Sequence, residues 1–278
     1  MLTEPVTTEM VCQVSEIDRK QILKEHFNFL YIILSENQLV PNATFEQMDG
    51  VTRCLSGSPN FFHNAVLGSP KSNWDQCIKE QLNFFQSAKM PFVWYVDEDT
   101  DPAFKEKLLN HGFQNGGIFQ GVIGTLDQAI PDPEIPRDCV LELVDNETAL
   151  EEFNELVCAI FDMKGVTKEM YKKVMGNATK DEHHPMFHWI ARKQGKVVSA
   201  VSTLISGDIV SFWNGASLPE VRRHGLNTAL RRLALKHAVS KGCRLGSSYL
   251  MSEAMPFGIC SKLGFQTQWR FNVFLSPQ

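Results

Sequence analysis

The 278-residue chain has no apolar run near the ~20 residues that a membrane-spanning helix needs. Its longest such stretches, Phe29–Leu34 among them, are far shorter, so no membrane association is expected. Paired cysteines are missing too. Cys12, Cys54, Cys77, Cys139, Cys158, Cys243 and Cys260 are scattered, odd in number and never spaced as CxxC. That argues against a zinc ribbon or a disulfide scaffold and for free thiols in a reducing compartment. The opening residues MLTEPVTTEM contain neither the basic nor the apolar region of a secretory leader, so a cytoplasmic location is expected. An excess of positive charge is absent as well: 27 Lys and Arg face 32 Asp and Glu, a net charge of -5, which argues against a general nucleic-acid binder. The 18 Gly and 13 Pro follow no period, and 43% hydrophobic with 21% charged residues is ordinary globular composition.

At about 150 residues per domain, a chain of this length suggests two domains. The segment Ala129–Asp138 (AIPDPEIPRD) carries three prolines, each removing a backbone donor and disfavouring helix before it. It reads as a linker between residues 1–130 and residues 139–278. The first half holds 9 Lys and Arg against 16 Asp and Glu, and the second 18 against 16. Only the second half is electrostatically suited to an anionic ligand.

The halves also resemble each other. Phe61–Val66 aligns with Ser211–Ala216, and Leu108–Phe113 with Cys260–Phe265, in the same order and at nearly constant separation. Both Gly-Phe pairs precede apolar runs, Ile118–Leu126 and Trp269–Leu275. A duplicated unit is expected. In the second copy the periodicity predicts a strand at Leu141–Val144, a helix at Glu147–Phe161 and three strands at Phe187–Arg192, Val197–Ile205 and Ile209–Leu218. An amphipathic helix follows, with Leu226, Ala229, Leu230, Leu233, Ala234 and Ala238 on one face. A strand at Arg244–Met251, a short helix at Pro256–Leu263 and a last strand close an α/β unit with a mixed sheet.

The segment with chemistry is Leu218–Leu230, LPEVRRHGLNTAL. A strand runs through Pro219 into a basic loop and then a helix start. The first N–H groups of a helix have no intrahelical partner, and the helix dipole adds partial positive charge. Gly225 would let a bulky anion approach the backbone, with Arg222, Arg223 and His224 adding charge, so the segment has the attributes of a pyrophosphate cradle. The glycines of a dinucleotide fingerprint and the lysine of a Walker loop are missing.

This segment resembles the GNAT superfamily of acyl-CoA-dependent N-acyltransferases, whose signature [R/Q]-x-x-G-x-[G/A] opens a helix after the fourth strand. Arg222 and Gly225 fit the signature, while Asn227 stands where Gly or Ala is usual. Cys260–Phe265 corresponds to the family's Y-x-x-L-G-F segment, with Cys260 at the Tyr position. The resemblance covers residues 139–278 and, through the repeat, more faintly 1–130. It implies two tandem GNAT-like domains, each a mixed, mostly antiparallel sheet flanked by helices. In the first, Ser69–Trp74 replaces the cofactor loop without a matching Gly, so that half is expected to be degenerate and not to bind CoA.

The resemblance further implies that acetyl-CoA is the acyl donor. Gly215, Ala216 and Ser217 would lie along the pantetheine arm. Arg222, Arg223, His224, Gly225, Leu226, Asn227 and Thr228 would surround the pyrophosphate. An amine would attack the thioester directly, with its oxyanion near a strand-four amide. Proton carriers are then needed for the amine and for the departing thiolate. Cys260 could be the acid, or a small core residue; Tyr249, Ser252 and Glu253 are the other nearby candidates. His183, His184 and His188 lack metal-site spacing, and no metal is expected. Asp97–Asp101 reads as an acidic cluster of which Asp99–Asp101 would cap the following helix, and Phe84, Phe85, Phe92, Trp94 and Tyr95 read as core. The expected function is transfer of an acetyl group to a primary amine of a small molecule or peptide. The alternative is a non-catalytic CoA-binding or interaction protein on the same scaffold.

Overall fold

The computed structural model describes residues 16–36, 43–126, 130–175, 185–251 and 256–277. The first element, α1 (Glu16–Glu36), buries Leu23, His26, Phe27, Leu30 and Tyr31, the i, i+3, i+4, i+7, i+8 stripe of a helix with one face against a core. The rest of the first half contains β1 (Thr44–Met48), β2 (Val51–Leu55), β3 (Ala65–Gly68), α2 (Trp74–Ala88), β4 (Val93–Asp97), α3 (Pro102–Asn110) and β5 (Gln114–Thr125). The second half contains β6 (Cys139–Leu143), α4 (Glu147–Ile160), α5 (Gly165–Met175), β7 (Met186–Lys193), β8 (Lys196–Ser206) and β9 (Ile209–Ser217). It ends with α6 (Leu226–Ser240), β10 (Leu245–Met251), α7 (Pro256–Lys262) and β11 (Gln266–Leu275).

Local chemistry explains several boundaries. Asp101 Oδ1 accepts from Ala103 N–H at 2.9 Å and caps α3, and Pro102 occupies the first turn where its missing donor costs nothing. Gln194 and Gly195, both at positive φ (49° and 80°), form the tight turn between β7 and β8. The expected core aromatics are present: Phe85 stacks on Phe92 at 4.1 Å, and Trp94 is fully buried.

The repeat read from the sequence appears as two equivalent runs. β3–α2–β4–α3–β5 corresponds to β9–α6–β10–α7–β11, and in each run the first two strands pair in parallel. All other strand pairs are antiparallel. The strands form one eleven-stranded sheet in the order β1-β2-β3-β4-β11-β5-β10-β9-β8-β7-β6. That order contains an exchange. β5 of the first half lies against β10 of the second, while β11 lies between β4 and β5 of the first. The two expected sheets are thus fused through each other's last strand.

One face of the sheet carries α1 and α4 over a core that runs through both halves, from Leu23 and Phe27 to Phe153 and Phe271. On the other face, α6 covers the second half and α2 with α3 the first, over separate cores. Within the linker segment, residues 130–138 contain neither helix nor strand. Among the described residues, no helix is long and apolar enough to cross a membrane, and no disulfide joins the six cysteines.

Candidate functional site

The site is built where two parallel strands separate. β9 and β10 pair from Ile209↔Leu245 to Phe212↔Ser248, and beyond that point they part. A bulge assists the parting: Ala200 pairs with Ala216 and Ser202 with Trp213, so Asn214 and Gly215 together face Val201. Asn214 takes φ 51° there and donates from Nδ2 to Ser202 Oγ at 3.1 Å. In the first half, β3 ends at Gly68, just after Leu67 pairs with Tyr95, and no comparable extension of the strand exists. Between the parted strands lies a cleft of about 730 Å³. Trp213, Gly215 and Ser217 of β9 and Ser248, Tyr249 and Met251 of β10 line its sides.

The start of α6 forms the mouth. Gly225 caps the helix at φ 81°, a left-handed conformation that suits a residue without Cβ, and no side chain caps the first turn. The free N–H groups of that turn therefore face the cleft margin, which Arg222, Arg223, Gly225, Leu226, Asn227 and Thr228 line. Arg222 Nε donates to Ser217 O at 3.1 Å, which tethers this cation to the end of β9. Among the described residues, neither Arg222 nor Arg223 has an ion-pair partner.

Of the expected cofactor residues, Gly215, Ser217, Arg222, Arg223, Gly225, Leu226, Asn227 and Thr228 thus come together on one cleft. Ala216 is buried at 2% exposure, its carbonyl accepting from Ser199 Oγ, and His224 is exposed; neither is on the cleft wall. Asn227, the departure from the usual signature, is occupied locally: Nδ2 donates to Ala200 O at 3.4 Å and Oδ1 accepts from Arg231 Nε at 3.0 Å.

The expected proton carriers are placed differently. Cys260 is fully buried on the core side of α7 and does not line the cleft, although Ile259 and Lys262 beside it do. Burial pushes its thiol pKa up, only partly offset by the neighbouring Arg231 charge. Tyr249 lines the cleft with its ring stacked on Trp213 at 5.1 Å, but its hydroxyl donates to Leu23 O on α1 at 2.7 Å. Burial raises its pKa as well. Ser252 and Glu253 lie outside the described residues, as do His183 and His184. His188 is buried, stacked on Phe153 at 4.2 Å and 2.9 Å from Ser202 Oγ, in a core role.

Sequence reading did not single out Arg231. It is 3% exposed and lines the cleft at the point where the strands part, its guanidinium 4.5 Å from the Phe212 ring. The available signal was a charged residue one helical turn beyond Asn227, within the apolar stripe of α6. Ile160 and Phe161, at the end of α4, supply apolar wall that only the tertiary fold brings there.

Residues 138–249 match the model of a GNAT acetyltransferase domain. A GCN5-related N-acetyltransferase from Kribbella flavida superposes with a TM-score of 0.64 at 14% identity, over 89% of this chain and 95% of that one. One from Sphaerobacter thermophilus gives 0.66 at 13%, over 82% and 76%. A tandem GNAT protein from the clavulanic acid biosynthesis pathway gives 0.59 at 13%, over 90% and 88%. No curated protein matches the sequence. With its parted parallel strands and uncapped helix start, the chain has the GNAT N-acetyltransferase fold in the tandem arrangement, and its residues 138–249 are similar to a GNAT acetyltransferase domain.

Proposed function

We propose that this protein is an N-acetyltransferase that moves an acetyl group from acetyl-CoA to a primary amine of a small molecule or peptide. Its fold is one that supports acyl transfer. The observation that carries the finer reading is the cleft itself, which runs from an uncapped helix start flanked by Arg222 and Arg223 to the point where β9 and β10 part. An elongated donor with a pyrophosphate at one end and a thioester at the other fits that course. The N–H groups of Gly225–Thr228, with Arg222 and Arg223, would hold the pyrophosphate. Backbone groups of Gly215–Ser217 on the side away from β8, left without a partner strand where β10 parts from β9, would pair with the pantetheine amides. In this reading residues 139–278 form the donor-binding unit, and residues 1–130 form a degenerate one that contributes α1 and β5 and does not bind CoA.

The acceptor amine attacks the thioester carbonyl directly, and a strand-four amide receives the oxyanion. Glu253, just after β10, is our candidate to take the amine's proton. The burial of Cys260 favours its reading as a core residue over that of the acid.

The test is thermal unfolding with and without acetyl-CoA, on the wild type and on Gly225→Glu, whose side chain strains the left-handed position and repels phosphate. Ligand at about 100 times its dissociation constant adds roughly 2.7 kcal/mol, worth several degrees of melting temperature. A shift in the wild type that is lost in a folded variant is the expected result. No shift in the wild type would overturn the reading. A shift without release of CoA thiol across a panel of amines and peptides would favour the non-catalytic alternative.

A further inference from the structure

A buried cation without a carboxylate is unusual, because desolvating a charge is costly unless a counter-charge offsets it. Arg231 is such a group. Its Nε donates to Asn227 Oδ1 at 3.0 Å and its Nη1 to the neutral Cys260 Sγ at 3.9 Å, and among the described residues no acidic side chain pairs with it. The guanidinium carbon lies 4.5 Å from the centroid of the Phe212 ring. Nη2 lies against β9, 3.2 Å from where a Cβ on Gly215 would stand, so a side chain there would crowd the guanidinium. This is a held geometry, with two of the three nitrogens engaged by neutral partners and the third at the vertex of the cleft. Among the described residues, the other charges on the wall are Arg222 and Arg223 at the mouth and Lys262 of α7, all exposed to solvent. Among the described residues the cleft thus holds one desolvated positive charge, where β9 and β10 part, and it has no anionic partner there.

Resting on the acyl-transfer reading above, we infer that Arg231 is a catalytic residue that ion-pairs with the sulfur of the departing CoA thiolate. With the pyrophosphate at the start of α6, the thioester end of the donor lies toward the vertex, beside this guanidinium. As the tetrahedral adduct collapses, the new C–N bond is retained, the C–S bond breaks and its electron pair leaves on sulfur. The negative charge then forms next to Nη2. The amine's proton passes to a base or to water, and Arg231 keeps its own proton throughout. Product CoA takes up a proton from solvent on release. A thiol donor at position 260 is then unnecessary, consistent with Cys260 facing the core.

The test is the ionisation of bound CoA, followed by the ultraviolet absorbance of its thiolate against the desulfo-CoA complex, which lacks the sulfur. In the wild type the bound thiol should titrate about one pH unit or more below free CoA, as for a group beside an opposite charge. In Arg231→Met, of similar length and suited to an apolar site, that shift should vanish while CoA and desulfo-CoA still bind. Turnover should fall about 10²–10³-fold, chiefly in kcat rather than KM. Arg231→Lys, which restores charge without the planar fork, should recover part of both. A wild-type complex with an unshifted thiol, or a shift that persists in Arg231→Met, overturns this inference and leaves the acyl-transfer reading standing. If neither CoA nor desulfo-CoA binds the wild type, the acyl-transfer reading fails and this inference fails with it.

Discussion

His26 on α1 is 3% exposed, with Nε2 2.7 Å from Ser211 Oγ on β9. Burial lowers its pKa from 6.5 to about 4. His63, bonded to Ser58 Oγ at 2.9 Å and stacked on Tyr171, is lowered to about 4 by the same cause. A depressed folded-state pKa on a histidine means that the unfolded chain binds more protons between the two values. Each group's contribution is therefore complete above about pH 6.5 and is lost as pH falls toward 4. The slope is about 1.4 kcal/mol per pH unit per histidine inside that window. We expect chemical denaturation to show stability falling from pH 6.5 to 4.5, and His26→Gln, which can still bond Ser211, to remove about one proton's share of the slope. An unchanged slope in the variant would mean that His26 is not buried neutral. None of this was legible in the sequence, because a lone histidine in a helix carries no mark of what it will face. The loop at the mouth of the cleft was legible for the opposite reason: the left-handed Gly225 and the start of α6 are set by local backbone geometry, which adjacent residues determine. Arg231 falls between the two, since a charge in an apolar stripe can be seen in sequence but its lack of a counter-charge among the described residues cannot.

At the scale of elements, periodicity located most strands and helices of the second half to within a residue or two. α1 was harder. Its run Phe29–Leu34 is as apolar as a buried strand, and only packing on both halves settles it as a helix. The Leu-Gly-Phe segment after α7 shows how one element fixes another. Gly124 of β5 and Gly246 of β10 are direct cross-strand partners, and the Phe265 ring lies over the pair. A Cβ on Gly246 would stand 2.5 Å from Phe265 Cζ and one on Gly124 2.6 Å from Cδ1, so the turn into β11 can approach the sheet only over two glycines. Gly246→Ala should cost about 1–3 kcal/mol, the range for overpacking a filled core. Because the clash is with the ring itself, Gly246→Ala combined with Phe265→Leu should cost less than the sum of the single changes, a coupling that a double-mutant cycle in denaturant would measure. Strict additivity would show that Phe265 is not what fills the space above Gly246.

For the whole molecule, the internal repeat predicted two copies but not how they would join. Sequence similarity shows that β5 and β11 are equivalent strands. Both are long, apolar and preceded by Gly-Phe, so either could complete either sheet, and the alternation of residues does not distinguish the partners. In the structure each completes the other's half: β5 fills the edge of β10, and β11 the edge of β4. Above this seam Phe27 of α1 packs on Tyr95 of the first half and on Trp213, Tyr249, Trp269 and Phe271 of the second. Separating the halves would therefore expose two unpaired strand edges and the shared core together, whereas the linker itself contributes little. Its ion pairs from Asp132 to Lys236 and from Glu134 to Arg232 are exposed, and such solvent-screened pairs add little. Cutting the chain between Glu134 and Ile135 should accordingly be tolerated when both pieces are co-expressed, giving a one-to-one complex that copurifies and melts cooperatively. Expressed alone, residues 139–278 should be insoluble or lack a cooperative transition, even though they contain the entire helix start, both arginines of the mouth and both sides of the cleft. If that fragment alone unfolds cooperatively near the temperature of the intact chain, the exchanged strands are dispensable, and the second half is an autonomous domain that the first merely decorates.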